Sequence, residues 1–215
     1  MAEKKADAVT GKRSILYEIA RGISHVLFRT LMPVKFHNPE RLRREPPFIL
    51  IANHRHALDP VAMAIGIPKH QVVFLAKKEL GKSPFMQKLL TRVHCILVDQ
   101  HNVDMEAMRA CMKAIKDNKI LLIFPEGTRH HEGQMEQIET GTALIAMRSR
   151  APIVPVYFDR KLAFFRRTHL YVGEPIAYDD LLAEGINAET CEKMNERMRE
   201  TFRQMIRKAD AEKAK

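Results

Sequence analysis

Six apolar runs bounded by chain breakers punctuate the sequence: residues 47–52 (PFILIA), 71–75 (QVVFL), 95–99 (CILVD), 119–124 (KILLIF), 152–157 (PIVPVY) and 168–173 (THLYVG). They are aliphatic at successive positions rather than at alternate ones, as strands covered on both faces are. Between them the spacing turns helical. Over 104–116, Met105, Met108, Met112 and Ile115 share a face, and Asp104 can cap the start. Further helical patterns run over residues 137–149 and 189–209, the last with Met194, Met198, Phe202, Met205 and Ile206 on one side. The methionine stripes are expected in the core, because helical spacing alone accounts for them and methionine fills irregular gaps. Strands alternating with helices predict an α/β fold: a single layered domain whose largely parallel, mixed sheet is flanked by helices.

The N-terminal pattern differs. Ile15, Ile19, Ile23 and Leu27 recur every four residues with Leu16 and Val26 beside them, while Arg13, Glu18, Arg21 and Arg29 fall largely elsewhere around the helix. This predicts an amphipathic helix over 13–32. Arg21, His25 and Arg29 deny it the ~20 apolar residues that a membrane-spanning helix needs. It is therefore expected to pack on the domain, to lie in a membrane interface, or to do both. The chain divides accordingly into a disordered tail (1–12), a membrane-associating helix (13–32), the main domain (33–209) and a second disordered tail (210–215).

Composition narrows the partners. In 215 residues the formal net charge is +10, which favours something anionic. Lysine and arginine are scattered and no aromatic stacking platform is interleaved with them, so nucleic acid is not expected. Cys95, Cys111 and Cys191 are odd in number and widely spaced, which fits neither a disulfide framework nor a paired-cysteine zinc site and suits a reducing cytosol. The lysines near the N-terminus lead into a charged segment without a small-residue cleavage site, so no cleavable signal is expected.

Two of the aliphatic runs discharge polar residues at their carboxyl ends, where α/β sheets bind ligands. ILIA ends at Asn53-His54, with Asp59 five positions on, and KILLIF ends at Pro125-Glu126-Gly127-Thr128-Arg129. A neutral imidazole can take a proton from an alcohol, and a carboxylate on its other nitrogen fixes the tautomer. His54 and Asp59 could form such a pair. Asp59, followed by Pro60, could equally cap a helix. No Gly-x-Ser-x-Gly elbow accompanies them and no serine or cysteine is placed beside a second histidine, so the base must activate water or a substrate hydroxyl.

In FPEGTR, Thr128, the backbone amides and the Arg129 fork suit an anion such as phosphate. Glu126 would repel phosphate and is expected to hold Arg129 or a substrate hydroxyl instead. A strand-ending turn with a surface ion pair would also explain the segment. His54, His56, His130 and His131 with Asp59 and Glu126 invite a metal reading, yet no His-Glu-x-x-His pattern or cysteine pair is present, and no metal is expected.

Asn53-His54 with Asp59, Lys77-Lys78-Glu79-Leu80 followed by Pro84, Phe124 to Arg129, and Ile153-Val154-Pro155-Val156 together resemble, in order and spacing, the four blocks of the glycerolipid acyltransferases. The likeness spans residues 14–177, includes the Val172-to-Ile176 strand end, and is strongest to the bacterial 1-acylglycerol-3-phosphate acyltransferases. It implies transfer of a fatty acyl chain from a thioester, on acyl carrier protein or coenzyme A, to the sn-2 hydroxyl of a lysophospholipid, giving phosphatidic acid in phospholipid biosynthesis. His54 would be the general base and Asp59 its orienter, with no acyl-enzyme. Glu126, Gly127, Thr128 and Arg129 would seat the glycerol phosphate, with Lys77 assisting. No cofactor beyond the donor thioester is implied. The partners would be the lysophospholipid, the acyl thioester, a membrane surface and an acidic acyl carrier protein, and the location the cytoplasmic face of the cell membrane, peripheral or monotopic.

Two positions depart from the family pattern. Asp99-Gln100 stands where an arginine commonly follows an acid, and Glu139-Thr140-Gly141 where a lysine often precedes the glycine. With two cations missing, a different lysolipid headgroup is an alternative, with Lys78, Arg92 or His130 available to compensate. A metal-assisted hydrolase would also use the histidines, and a basic module that binds a membrane surface or nucleic acid would also account for the charge.

Overall fold

The computed structural model describes residues 15–99, 104–129 and 135–213. Seven strands form one sheet in the order β1-β7-β6-β2-β5-β3-β4. They are β1 (Val34–His37), β2 (Phe48–Ala52), β3 (Val72–Lys77), β4 (Cys95–Val98), β5 (Ile120–Ile123), β6 (Ile153–Phe158) and β7 (Thr168–Val172). The helices are α1 (Ile15–Thr30), α2 (Asp59–Ile65), α3 (Pro84–Arg92), α4 (Met105–Lys116), α5 (Thr140–Ser149), α6 (Asp179–Ala183) and α7 (Ala188–Lys213). The six strands expected from the apolar runs are present. The edge strand β1 is the addition: with the sequence VKFH and a half-exposed burial pattern, it carries no continuous apolar signal.

β2 to β6 run parallel to one another, whereas β7 is antiparallel to β6, and β1 lies parallel to β7. The sheet is therefore mixed, as expected. Strand β2 explains the successive apolar pattern. Phe48, Leu50 and Ala52 join the core on the α1–α2 side with Phe28, Met63 and Val154, while Ile49 and Ile51 join the opposite core with Cys111, Ala146 and Phe202. Both faces are covered, so every residue of β2 is fully buried.

The methionine stripes divide. Met194, Met198 and Met205 of α7 are core, with Phe202 between them. In α4 the buried line is Ala107, Cys111, Ala114 and Ile115, and Met105 is exposed. The small residues Ala107, Cys111 and Ala114 are the most deeply buried of α4, a preference that apolarity alone does not signal. Asp104 caps this helix as expected, its side chain accepting from the Ala107 N–H.

Helix α1 packs beside α2 and buries Tyr17, Ser24 and Phe28. Of the apolar line expected from spacing, Leu27 is partly buried against the core while Ile15, Ile19 and Ile23 remain exposed with Val26. The aromatic side of the helix, not the isoleucine side, meets the domain. Helix α7 continues through Lys213, which moves the limit of order expected at residue 209: acidic and basic side chains one turn apart, such as Asp210 and Lys213, extend it. Residues 1–12 of the expected N-terminal tail lie outside the described residues. No described helix is long and apolar enough to cross a membrane.

Candidate active site

Because β2, β3, β5 and β6 are parallel, their carboxyl ends share one edge of the sheet, and the reversed β1 and β7 bring their amino ends to that same edge. Immediately past β2 the chain turns through Asn53 to Leu58 into α2. Asn53 is wholly buried and clamps the turn to β6: it accepts the Phe158 N–H at Oδ1 (2.7 Å) and donates from Nδ2 to the Phe158 carbonyl (3.1 Å).

Beyond this clamp, Nδ1 of His54 lies 3.0 Å from Oδ2 of Asp59. The same carboxylate oxygen accepts the backbone N–H groups of Arg55 (2.7 Å) and His56 (2.6 Å). Asp59 is the first residue of α2, yet these donors precede it, so it organises the turn that carries His54 rather than capping the helix that follows. With three donors on one oxygen and no exposure to solvent, the carboxylate holds the histidine by its own placement. Donation from Nδ1 to Asp59 leaves the lone pair on Nε2, and the ring retains some solvent exposure. Its face stacks on Phe124, with ring centroids 4.2 Å apart. A neutral imidazole fixed in this manner can accept a proton at Nε2 from a hydroxyl brought to the sheet edge.

The FPEGTR segment follows the adjacent strand, β5. Glu126 is buried and accepts the His54 backbone N–H at Oε2 (2.9 Å). It ties the two loops together through a contact with the backbone that carries the histidine. Gly127 sits at φ 65°, a left-handed conformation that favours glycine. The Gly127 N–H donates to the Phe124 carbonyl (3.0 Å) and the Thr128 N–H to the Glu126 carbonyl (2.7 Å). These amides donate within their own turn, and the side chains of Thr128 and Arg129 are exposed at its end.

Lys77, the last residue of β3, is half-buried at the same edge, with β5 between its strand and β2. His56 is engaged within the turn, its Nδ1 accepting the Leu58 N–H at 3.2 Å. Burial lowers the His56 pKa, opposed by Asp59, and Lys161 and Arg129 lower it further. Cationic side chains thus converge on this rim. Among the described residues no three histidine, cysteine or acidic groups are placed to hold a metal ion; His130 and His131 lie outside them, as does Gln100. Cysteine chemistry is remote: the Cys111 thiol is buried and pushed up to about 12, chiefly by that burial.

Sequence reasoning missed two parts of this site. The Asn53 clamp had a signal, a polar residue between an apolar strand and the histidine. The link from Glu126 to the His54 backbone had none, because it depends on β2 and β5 being neighbours.

The chain is similar to known proteins over most of its length. Residues 33–159 match the family model described as Acyltransferase. A 1-acyl-sn-glycerol-3-phosphate acyltransferase of Bacillus subtilis is 27% identical over 193 residues, covering 86% of this chain and 96% of that protein. One from Streptococcus pneumoniae is 26% identical over 199 residues, covering 89% and 73%. The crystal structure of PlsC, the 1-acyl-sn-glycerophosphate acyltransferase of Thermotoga maritima, superposes with a TM-score of 0.67 at 20% identity, over 91% of this chain and 78% of that one. At that identity the likeness speaks for the fold.

Proposed function

We propose, from the premise that this chain belongs to the acyltransferase family, that it transfers a fatty acyl group from a thioester to the sn-2 hydroxyl of 1-acylglycerol-3-phosphate, giving phosphatidic acid for phospholipid synthesis. The observation that carries this reading is the 3.0 Å contact between His54 Nδ1 and Asp59 Oδ2 at the carboxyl end of the central strand. It is a base with its orienter but without an enzyme nucleophile, and the acceptor hydroxyl supplies what is missing. The names of the relatives from Bacillus subtilis and Streptococcus pneumoniae support the choice of acceptor.

The acceptor oxygen attacks the thioester carbonyl carbon as its proton passes to His54 Nε2. The tetrahedral intermediate then expels the thiolate, which recovers the proton from the imidazolium as free thiol. Asp59 stabilises the imidazolium between these two transfers. Thr128 and Arg129 at the rim, with Gly127 shaping the turn, seat the glycerol phosphate, and Lys77 adds positive charge from β3. Glu126 fixes the His54 backbone. Acyl carrier protein or coenzyme A serves as donor, and the cationic surface suits an acidic carrier. Anionic lipid at the cytoplasmic face of the membrane is the working surface. No cofactor is required by these steps.

The test is purified protein with vesicles or detergent, labelled acyl thioester and a panel of lysolipids, with products identified by mass. Phosphatidic acid as the main product is expected. Preference for an acceptor with an uncharged or amine-bearing headgroup would replace the acceptor assignment, and hydrolysis without transfer would overturn the reading.

A further inference from the structure

Across the sheet edge from FPEGTR, the β6–β7 connection forms a tight turn. Ala163 and Arg166 bridge in antiparallel fashion, and Phe164 and Phe165 stand at the tip, 63% and 80% exposed. Their rings lie 6.4 Å apart between centroids. Phe165 adopts φ 56°, a left-handed conformation unfavourable for a bulky side chain, and its N–H donates to the carbonyl of Leu31 just past α1. Leu162 is buried beneath the turn. Strain of this kind persists only where the surroundings impose it, and here it turns two phenylalanines outward.

The surroundings of the tip are one-sided in charge. Lys161, Arg166 and Arg167 are exposed on the turn, as is Arg29 near the end of α1. The acid nearest in sequence, Asp159, is buried and engaged by Arg160 and Lys213. Aromatic residues in a cationic collar match the boundary between anionic headgroups and acyl chains. The tip also lies on the edge that carries His54, since Arg55 donates from Nη1 to the Asp159 carbonyl at the base of the connection (3.0 Å). On the opposite flank, Leu80 and Phe85 follow β3 on the same edge, exposed beside Lys78, Lys82 and Lys88.

We propose that the Phe164–Phe165 turn is a membrane anchor in its own right, inserting both rings into an anionic lipid surface and setting the His54 edge against the bilayer. This deepens the membrane-surface part of the function proposed above and rests on it. Burial of two phenylalanine side chains corresponds to a change in partitioning of about tenfold or more.

The chain contains no tryptophan, so Phe164→Trp in the full-length protein introduces a single indole at the tip. On adding vesicles of phosphatidylglycerol and phosphatidylcholine, its emission should shift to the blue and be quenched by lipids brominated near the headgroup. Pure phosphatidylcholine should give a smaller effect. In flotation, Phe164→Ala/Phe165→Ala should bind anionic vesicles at least about tenfold more weakly than the parent, while transfer to a short-chain lysophosphatidic acid below its micelle concentration is unchanged. Phe165→Asn, which tolerates the left-handed backbone, should weaken binding without lowering Tm, separating anchoring from folding.

Protein that floats with vesicles while the indole emission stays constant would overturn the anchor and leave the acyltransferase reading standing. A blue shift that follows protein concentration without lipid would assign the turn to self-association and also overturn it. Failure of transfer to the monomeric acceptor by the parent protein would instead be a failure of the proposed reaction.

Discussion

Asn53 and Phe158 close a two-bond ring between the carboxyl ends of β2 and β6, one residue before His54. The central strand is thereby fastened at the point where its chain leaves the sheet. Asn53→Ala strands a buried N–H and a buried carbonyl, each costing about 1–3 kcal/mol. A corresponding fall in Tm is expected, with kcat reduced in the folded fraction because the His54 turn loses its footing. Calorimetry with activity normalised to folded protein checks both.

His54→Ala should remove most turnover, about 10²- to 10⁴-fold in kcat, with little loss of stability, since the ring is partly exposed. Asp59→Asn is expected to cost comparable turnover and stability as well. The oxygen that serves His54 also serves two backbone donors, at 2.6 and 2.7 Å. Parallel circular dichroism melts and initial rates separate the two variants.

Glu126 touches the backbone of His54 rather than its ring, and is therefore a positioning residue. Glu126→Gln retains an acceptor oxygen and should keep most activity, whereas Glu126→Ala should lower kcat by about tenfold or more, in line with a lost buried hydrogen bond. The acceptor KM should change little in both. A large rise in KM with constant kcat would return Glu126 to the phosphate seat.

Remote from the site, Arg197 donates from both Nη atoms to the two Asp180 oxygens at 2.6 Å, joining α6 to α7. This contact holds the carboxyl at about 2 instead of the ordinary 3.8. A depressed folded value stabilises above the unfolded value and loses that contribution as pH falls through the folded one. Asp180→Asn should therefore melt below the parent at pH 7, and the gap should narrow as pH is lowered from about 4 towards about 2. Melting curves across that range provide the check.

The apolar runs mark β2 to β7, most clearly β2, β5 and β6, where burial on both faces leaves an unbroken apolar string, and Asn53-His54 and FPEGTR stand out as polar breaks in it. β1 escaped notice because its four residues, VKFH, are half-exposed at an edge. Helix α1 was found, but its docking side was not: Ile15 and Ile19 carry the strongest apolar period, while Tyr17 and Phe28 supply the contacts. In FPEGTR the sequence shows donors but not their partners. The Gly127 and Thr128 amides face their own turn, and no composition rule discloses which donors a turn consumes. Contacts between residues distant in sequence, such as His54 with Glu126, require the strand order before they can be read.

The place of β2 in that order bears on how the enzyme fails. It is the fourth of seven strands, bonded to β5 on one side and β6 on the other, and every residue in it is sealed from water. Amides in such a strand exchange with solvent only when the whole domain opens. The histidine turn is rooted there, so the chemistry has no soft hinge of its own to lose on gentle warming. Inactivation and global unfolding should share one transition, with the exposed loops loosening well before it.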